Sequence, residues 1–471
     1  MSKAKRTKRS KTGSQTLVRL PNNHQSTIDR PQMSLDTSHL QGLRGVASLL
    51  VYIHHHELWA HNAAYDTIER AFGYRQRHHF ITLPFIRLVF NGGHFATAVF
   101  FVLSGYVLSV KPLTIINCPR TTSSIENQGR LACYISLAIF RRWFRLFIPV
   151  FVTTFTYMSL LYIFGLHASG HSTQAAYSLE FRRWMHEVLN FSFIFDRTTS
   201  PWPSYNDHLW SVAIEFKGSL AMYTCLTVLS RSTIHYRLVS YMLLVVYFLF
   251  LVTDGWFCAF FIAGLSIRDL EIVFGGYVTS MMQGKAWTSV LLKFLLSSFG
   301  LYMAGVPTCL SSKCFRMNPG WSFLSPLPSL VTCDPKWVPL FCASVLFVPL
   351  VRHTWLKRPL QSSIFQYLGR NSYSLYLIHG PVLRTFGDSL YACVSWPYGD
   401  RRMLHTRFDS WAGFLPITMS GPFGMEGAFL VVQAIMLPIS LFISHFVTHT
   451  VDGPCVRLSK MIVDVLLGKE Q

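Results

Sequence analysis

Ten apolar segments, broken by short polar and basic stretches, limit what this chain can fold into. They cover about 41–60, 94–112, 146–166, 208–230, 237–253, 255–270, 288–306, 337–352, 373–391 and 426–448. A helix needs about 20 apolar residues to span a bilayer, and most of these segments approach that length. The pattern predicts an all-α polytopic transmembrane bundle of about ten helices. Composition agrees: 14% of the 471 residues are charged, against about 25% in soluble domains. The fifth and sixth segments are close enough to form a tight re-entrant pair around Asp254 and Gly255.

The chain begins MSKAKRTKRSK and stays polar through residue 38. It has no 7–15-residue apolar core of the kind a signal peptide needs, so residues 1–38 are expected to form a disordered basic cytoplasmic tail. Residues 39–450 would form the membrane domain and 451–471 a short cytoplasmic tail. The net charge of +20 does not indicate nucleic-acid binding. Much of it lies in the tail and in loops that flank apolar segments, such as Arg141, Arg142, Arg145, Arg352, Lys357, Arg358 and Arg370, as expected of cytoplasmic loops. The outer stretches, 61–93, 167–207, 307–336 and 392–425, are too small for independent cores. One of them holds the sequon Asn190-Phe191-Ser192. The ten cysteines show no metal-binding spacing. Cys309, Cys314 and Cys333 cluster in one loop, where one disulfide is expected with its pairing open.

The first segment, LQGLRGVASLLVYIHHH, carries two residues that are costly in a membrane. Arg44 and His55 are eleven residues apart. Eleven steps of 100° come to within about 20° of whole turns, so both side chains share one helix face, roughly 16 Å apart. Such a face must look into protein or a watery cavity. Imidazole is the side chain best suited to moving protons near neutral pH. His54 and His56 point 100° to either side and are read as water-bound interfacial histidines. Adjacent helical positions cannot converge on one ion, so no metal is expected on the triplet.

Four further stretches are candidates. Ser104 lies in FFVLSGYVLS without a nucleophile elbow around it; it reads as a substrate-positioning residue or as part of a small-residue helix contact. Arg142 and Arg145, in RRWFRLFIP, share a helix face and read as interfacial anchors or as a phosphate clamp. HLWSVAIEFK holds Trp210, Ser211 and Glu215; a membrane glutamate needs a partner, and Arg44, Arg142 and His55 are the candidates. In SYSLYLIHGP, Tyr376 and His379 share a face.

In this order the stretches resemble the acyltransferase 3 family of integral-membrane acyltransferases, in a fungal-type version, from about Ser38 to Thr448. The resemblance rests on GLRG with Arg44 and His55, FFVLSGYVLS, RRWFRLFIP, LWSVAIEF and SYSLYLIHGP. It implies some ten transmembrane helices and an acyl-CoA co-substrate, acetyl-CoA first, taken from the cytoplasm. The acyl group would go to a hydroxyl of a sugar, lipid or small metabolite. It implies no metal and no tightly bound cofactor. His55 and Glu215 are the expected catalytic residues. Arg44, Arg142 and Arg145 would bind the donor; Ser104, Trp210, Ser211, Tyr376 and His379 would position substrate. Gln41 departs from the family pattern, which has Asp in LDGLRG, so Arg44 needs another partner, for which Glu215 is the candidate. The expected partners are acyl-CoA, the hydroxyl acceptor and membrane lipids, with no nucleic acid. The expected site is the endoplasmic reticulum or the plasma membrane. The alternative is a multi-pass transporter of a small metabolite, with the same buried charges lining a pathway.

Overall fold

Hydrocarbon offers no partner to backbone N–H and C=O groups, so a single chain segment crosses a bilayer as a helix. The computed structural model describes residues 37–61, 68–118, 124–166, 173–195, 203–283, 287–397 and 411–467. Among the described residues it is helical, with no strand. The main helices are α1 (Ser38–Ala60), α2 (Gly93–Ile116), α3 (Ser124–Phe164), α4 (Tyr177–Ser192), α5 (Trp210–Leu229) and α6 (Ile234–Val246). They continue as α7 (Trp256–Gln283), α8 (Trp287–Ala304), α9 (Trp337–Val351), α10 (Ser363–Val382), α11 (Gly427–Val447) and α12 (Gly453–Leu466). Wide π-type turns follow α6, α10 and α11 at Tyr247–Leu251, Leu383–Gly387 and Thr448–Asp452.

Every one of the ten apolar segments falls on a helix. Six helices among the described residues, however, are long and apolar enough to cross a membrane by length and composition. The reasons are local. In α7, Arg268, Asp269 and Glu271 interrupt the apolar run, and α9 has only 15 residues. In α1, Gln41, Arg44, the histidines and Glu57 lower the hydropathy. The chain is a membrane protein in which these more polar helices lie among apolar ones. The basic tail lies outside the described residues. The stretch 451–471, expected to be a tail, is helical over Gly453–Leu466 and packs on α3. The sequon Asn190 sits in the last turn of α4, where its carboxamide bonds His186, rather than in a loop.

α1 is held between α10 and α2. A methyl group on Gly45 would meet the Gly369 nitrogen at 2.7 Å, and one on Gly369 would meet the Gln41 carbonyl at 2.1 Å. The two backbones touch, as small residues allow in membrane packing. Gly105 makes the same kind of contact between α2 and α7, with the Phe261 carbonyl 2.1 Å from a would-be Cβ. The apolar core lies mainly around α2, α5 and α7, where Val102, Met222, Phe260 and Phe261 are inaccessible.

Polar locks join the helix ends. Arg237 of α6 bonds Asp269 of α7 through Nε (2.8 Å) and Nη2 (2.9 Å), and reaches Asn117 beyond α2 at 2.9 Å. Glu271 accepts from the Tyr106 hydroxyl at 2.5 Å and from Arg352 at 2.8 Å. In the loop after α8, Cys309 and Cys314 form a disulfide, while the Cys333 thiol donates to the Leu249 carbonyl.

At the far end of α1, His61 Nδ1 lies 3.1 Å from Glu57 and its Nε2 3.2 Å from Glu426. Burial alone would push this imidazole down; the bonds to Glu426 and Glu57 outweigh it and carry His61 up to about 9. Its unfolded value is near 6.5. The stabilisation is therefore complete below about pH 6.5 and is lost as pH rises through about 9. The thermal midpoint of the detergent-solubilised protein should fall across that window, and His61→Gln should flatten the fall. Asp269→Asn leaves Arg237 buried without its counter-ion and should cost roughly 3–5 kcal/mol, read from the same melts.

Candidate active site

A cavity of about 240 Å³ opens beside the N-terminal half of α1. Arg44 of α1, Arg142 and Arg145 of α3, Ser104 of α2, Glu215 of α5 and Tyr376 of α10 line it. Five helices thus bring together residues spread over more than 300 positions of the chain. The arginine pair lies one to two turns before Pro149 in the long helix α3, and its spacing of three residues puts both guanidiniums on one side.

Of the three candidate partners for Glu215, the structure selects Arg142. Its Nη2 lies 2.9 Å from Glu215 Oε1, and the Ser104 hydroxyl donates to the same oxygen at 2.9 Å. Glu215 therefore belongs to the arginine cluster and not to the histidines. The helix-contact reading of the Ser104 stretch holds for Gly105, while the Ser104 hydroxyl bonds the carboxylate. Arg44 feels the charges of two carboxylates, Glu215 and Asp452, together with those of Arg142 and Arg145.

Tyr376, which lines the cavity, has its ring centre 5.8 Å from that of His379. Its hydroxyl accepts from Ser211 at 2.8 Å and donates to the His208 carbonyl. Behind Tyr376 lie three histidines from three elements: His55 of α1, His379 of α10, and His208 from the turn that leads into α5. His55 Nδ1 and His379 Nε2 are 3.1 Å apart. The His208 ring lies tilted with its centre 4.1 Å from that of His55 and stacks at 4.9 Å on His379. Trp210 packs into the apolar core instead of lining the cavity.

Hydrogen bonding fixes the tautomers. His379 Nδ1 faces the Tyr376 carbonyl at 2.8 Å and the Leu375 carbonyl at 3.2 Å. Carbonyls only accept, so Nδ1 carries the proton, and in the neutral ring Nε2 is bare. His55 Nδ1–H then donates to His379 Nε2, which leaves His55 Nε2 as the free lone pair.

His208 was not singled out from the sequence. It stands two residues before Trp210, in a 3-10 turn where helical spacing says nothing about its neighbours. Asn206 holds that turn, accepting from the His208 amide at 3.3 Å and donating to the Leu377 carbonyl at 2.9 Å. Asp207 lies 3.6 Å from His208 Nε2 and takes a bond from Arg384.

The neighbouring histidines turn away, as their spacing predicts. They are buried rather than water-bound: His56 bonds Gln433 at 3.1 Å, and His54 faces His94.

A family model described as an acyltransferase domain matches residues 38–425. The chain belongs to the acyltransferase 3 family. The O-acetyltransferase PaAT-1 of Phomopsis amygdali is 27% identical over 399 residues, covering 76% of this chain and 74% of that protein. The acyltransferase clz18 of Cochliobolus lunatus is 26% identical over 461 residues, covering 86% and 92%. No solved structure matches. Family membership decides for the enzyme over the transporter: this acyltransferase 3 member is an O-acyltransferase.

Gly380 of α10 makes room for His208, because a methyl group there would lie 2.3 Å from the His208 ring. Gly380→Ala should therefore lower kcat by up to about 100-fold, the scale of a 1 Å misplacement. The KM for the acyl donor should change little, since Gly380 does not line the cavity. Steady-state kinetics on the purified variant checks both.

Proposed function

We propose that this multi-pass enzyme moves a short acyl group from acyl-CoA to the hydroxyl of a small metabolite, sugar or lipid, with His55 as general base. The observation that carries the reading is the bare Nε2 of His55, set by the His379 bond and placed behind an arginine-lined cavity.

Guanidinium forks match phosphate oxygens, so Arg44, Arg142 and Arg145 would receive the phosphates of the donor. The pantetheine arm would then run along α1 towards Tyr376 and deliver the thioester near His55, about half of a ~30 Å hydrocarbon core away. Movement of the Tyr376 ring would join the cavity to the histidines. His55 Nε2 takes the proton from the acceptor hydroxyl, and the acceptor oxygen attacks the thioester carbonyl carbon. The carbon–sulfur bond breaks, and the proton passes from His55 to the departing thiolate. His379 holds His55 in the active tautomer and stabilises the imidazolium, the role an aspartate plays in a serine-hydrolase triad. Glu215 would set the charge and position of Arg142. This differs from direct action on His55, which its place among the arginines does not favour. Ser211 and Tyr376 would shape the passage. Direct transfer needs no acyl-enzyme.

One curated relative is named an O-acetyltransferase, so acetyl-CoA is the donor to test first. Thiol release by the detergent-purified protein, with fractionated cell-extract metabolites as acceptors, is the direct assay. Release that depends on both extract and His55 supports the proposal; none with any acyl-CoA chain length would overturn the donor assignment.

His55→Ala should lose about 10²–10⁴-fold in kcat, the usual share of a general base. His56→Ala, facing Gln433, should keep most of its activity per folded molecule; equal losses would sink the assignment. Arg145→Ala should raise the KM for acyl-CoA about 10–100-fold, the loss of a charged hydrogen bond. Unchanged donor KM would remove Arg145 from the donor site.

A further inference from the structure

A second polar cluster lies on the other side of α1. His54 points away from His55 towards His94 at the start of α2 and Glu69 in the loop between the two helices. One donor atom from each of the three lies within 4.8 Å of the others. His54 is 3% exposed and Glu69 1%; Glu69 Oε1 is buried with no hydrogen-bond partner, and the one side chain that offers His54 a hydrogen bond is Asn91. A buried carboxylate oxygen left unpaired costs about 1–3 kcal/mol or more, so Glu69 Oε1, with two imidazoles in reach, calls for an occupant.

We propose that His54, Glu69 and His94 bind a zinc-type divalent cation. The donor set, two imidazoles and a carboxylate, suits zinc, with water completing a tetrahedron. The ring geometry fits. Imidazoles sharing one tetrahedral ion at about 2.0–2.1 Å have ring centres about 5 Å apart; those of His54 and His94 are 5.4 Å apart at an interplanar angle of 60°. The carboxylate is braced from behind, since the Thr308 hydroxyl donates to Glu69 Oε2 and leaves Oε1 for the ion. Such outer partners orient metal ligands. By contrast, the catalytic histidines already satisfy one another through the 3.1 Å bond between His55 and His379.

Two cations border the site. The buried Arg87 keeps Glu69 in a positive field. Lys336 Nζ lies 3.4 Å from His94 Nε2, and also 3.1 Å from Asp334. Seating the ion requires the ammonium to stay with Asp334 while His94 gives its lone pair to the metal. The ion would then tie α1, the following loop and α2 together beside His55, fixing the roll of α1 on which the His55–His379 bond depends.

The test is metal content, independent of turnover and hence of the proposed reaction. The full chain is purified in detergent with a tag other than polyhistidine, equilibrated with zinc, exchanged into metal-free buffer and analysed by mass spectrometry. Wild type should hold about one zinc per chain, and Glu69→Gln and His94→Asn less than about a tenth of that. His208→Asn, in the other histidine cluster, should retain it. Thr308→Val, a mild change, should weaken zinc affinity about 10–100-fold. Cobalt substitution should give the visible bands of a four-coordinate site in wild type and His208→Asn, but not in Glu69→Gln. Wild type without zinc would overturn the proposal and leave the Lys336 ammonium as the cluster's cation. So would zinc lost in His208→Asn and kept in Glu69→Gln.

Discussion

A helix with a guanidinium near one end and three histidines and a glutamate near the other cannot lie against lipid. The bundle is arranged to keep α1 off it. The Gly45–Gly369 contact brings α10 against α1 backbone to backbone, and α2 covers another side. That closeness lets His379 reach His55 at 3.1 Å and sets the tautomers of both rings. A wider helix separation would leave His55 Nδ1 and His379 Nε2 without each other and the tautomer of His55 undefined. The small residues of GLRG and of LGRNS thus bear on the chemistry as well as on the packing.

Three consecutive histidines on one helix must look three ways, and here each meets a different part of the protein. His54 meets His94, His55 meets His379 and His208, and His56 meets Gln433. The triplet is therefore one turn of helix serving three interfaces. A change in the roll of α1 would disturb all three together, which couples the His54 cluster to the one of His55, His208 and His379 without any shared ligand.

Much of this was legible from spacing. Arg44 and His55 share a face because eleven residues are close to three turns, and the ten apolar segments all became helices. What spacing cannot carry is contact between segments. Glu215 had three cationic candidates on equal terms, and only the packing of α2, α3 and α5 decides for Arg142 and Ser104. His208 escaped because it sits in a turn, where the period of 3.6 residues fails. Length and composition pick out six of the ten expected helices for a related reason. Once charged residues can be buried among neighbouring helices, as in α1 and α7, an apolar stretch no longer needs the length or purity of a lipid-exposed span.

The replacement of the family's aspartate by Gln41 shows how such a site keeps its charge in order. Gln41 cannot neutralise Arg44, yet the carboxylates that act on Arg44 are Glu215 and Asp452, the latter from the turn between α11 and α12. A residue more than 400 positions away in the chain thus takes part in a role that the resemblance assigns to a neighbour. Three guanidiniums, Arg44, Arg142 and Arg145, line the cavity with one carboxylate, Glu215, and with Asp452 acting on Arg44 the cations still outnumber the acids. In a partly desolvated cavity that excess is poorly screened, and it favours an anionic ligand over a neutral one. It also makes the packing of α12 on α3, which fixes the neighbourhood of Asp452, part of what tunes the cavity's affinity.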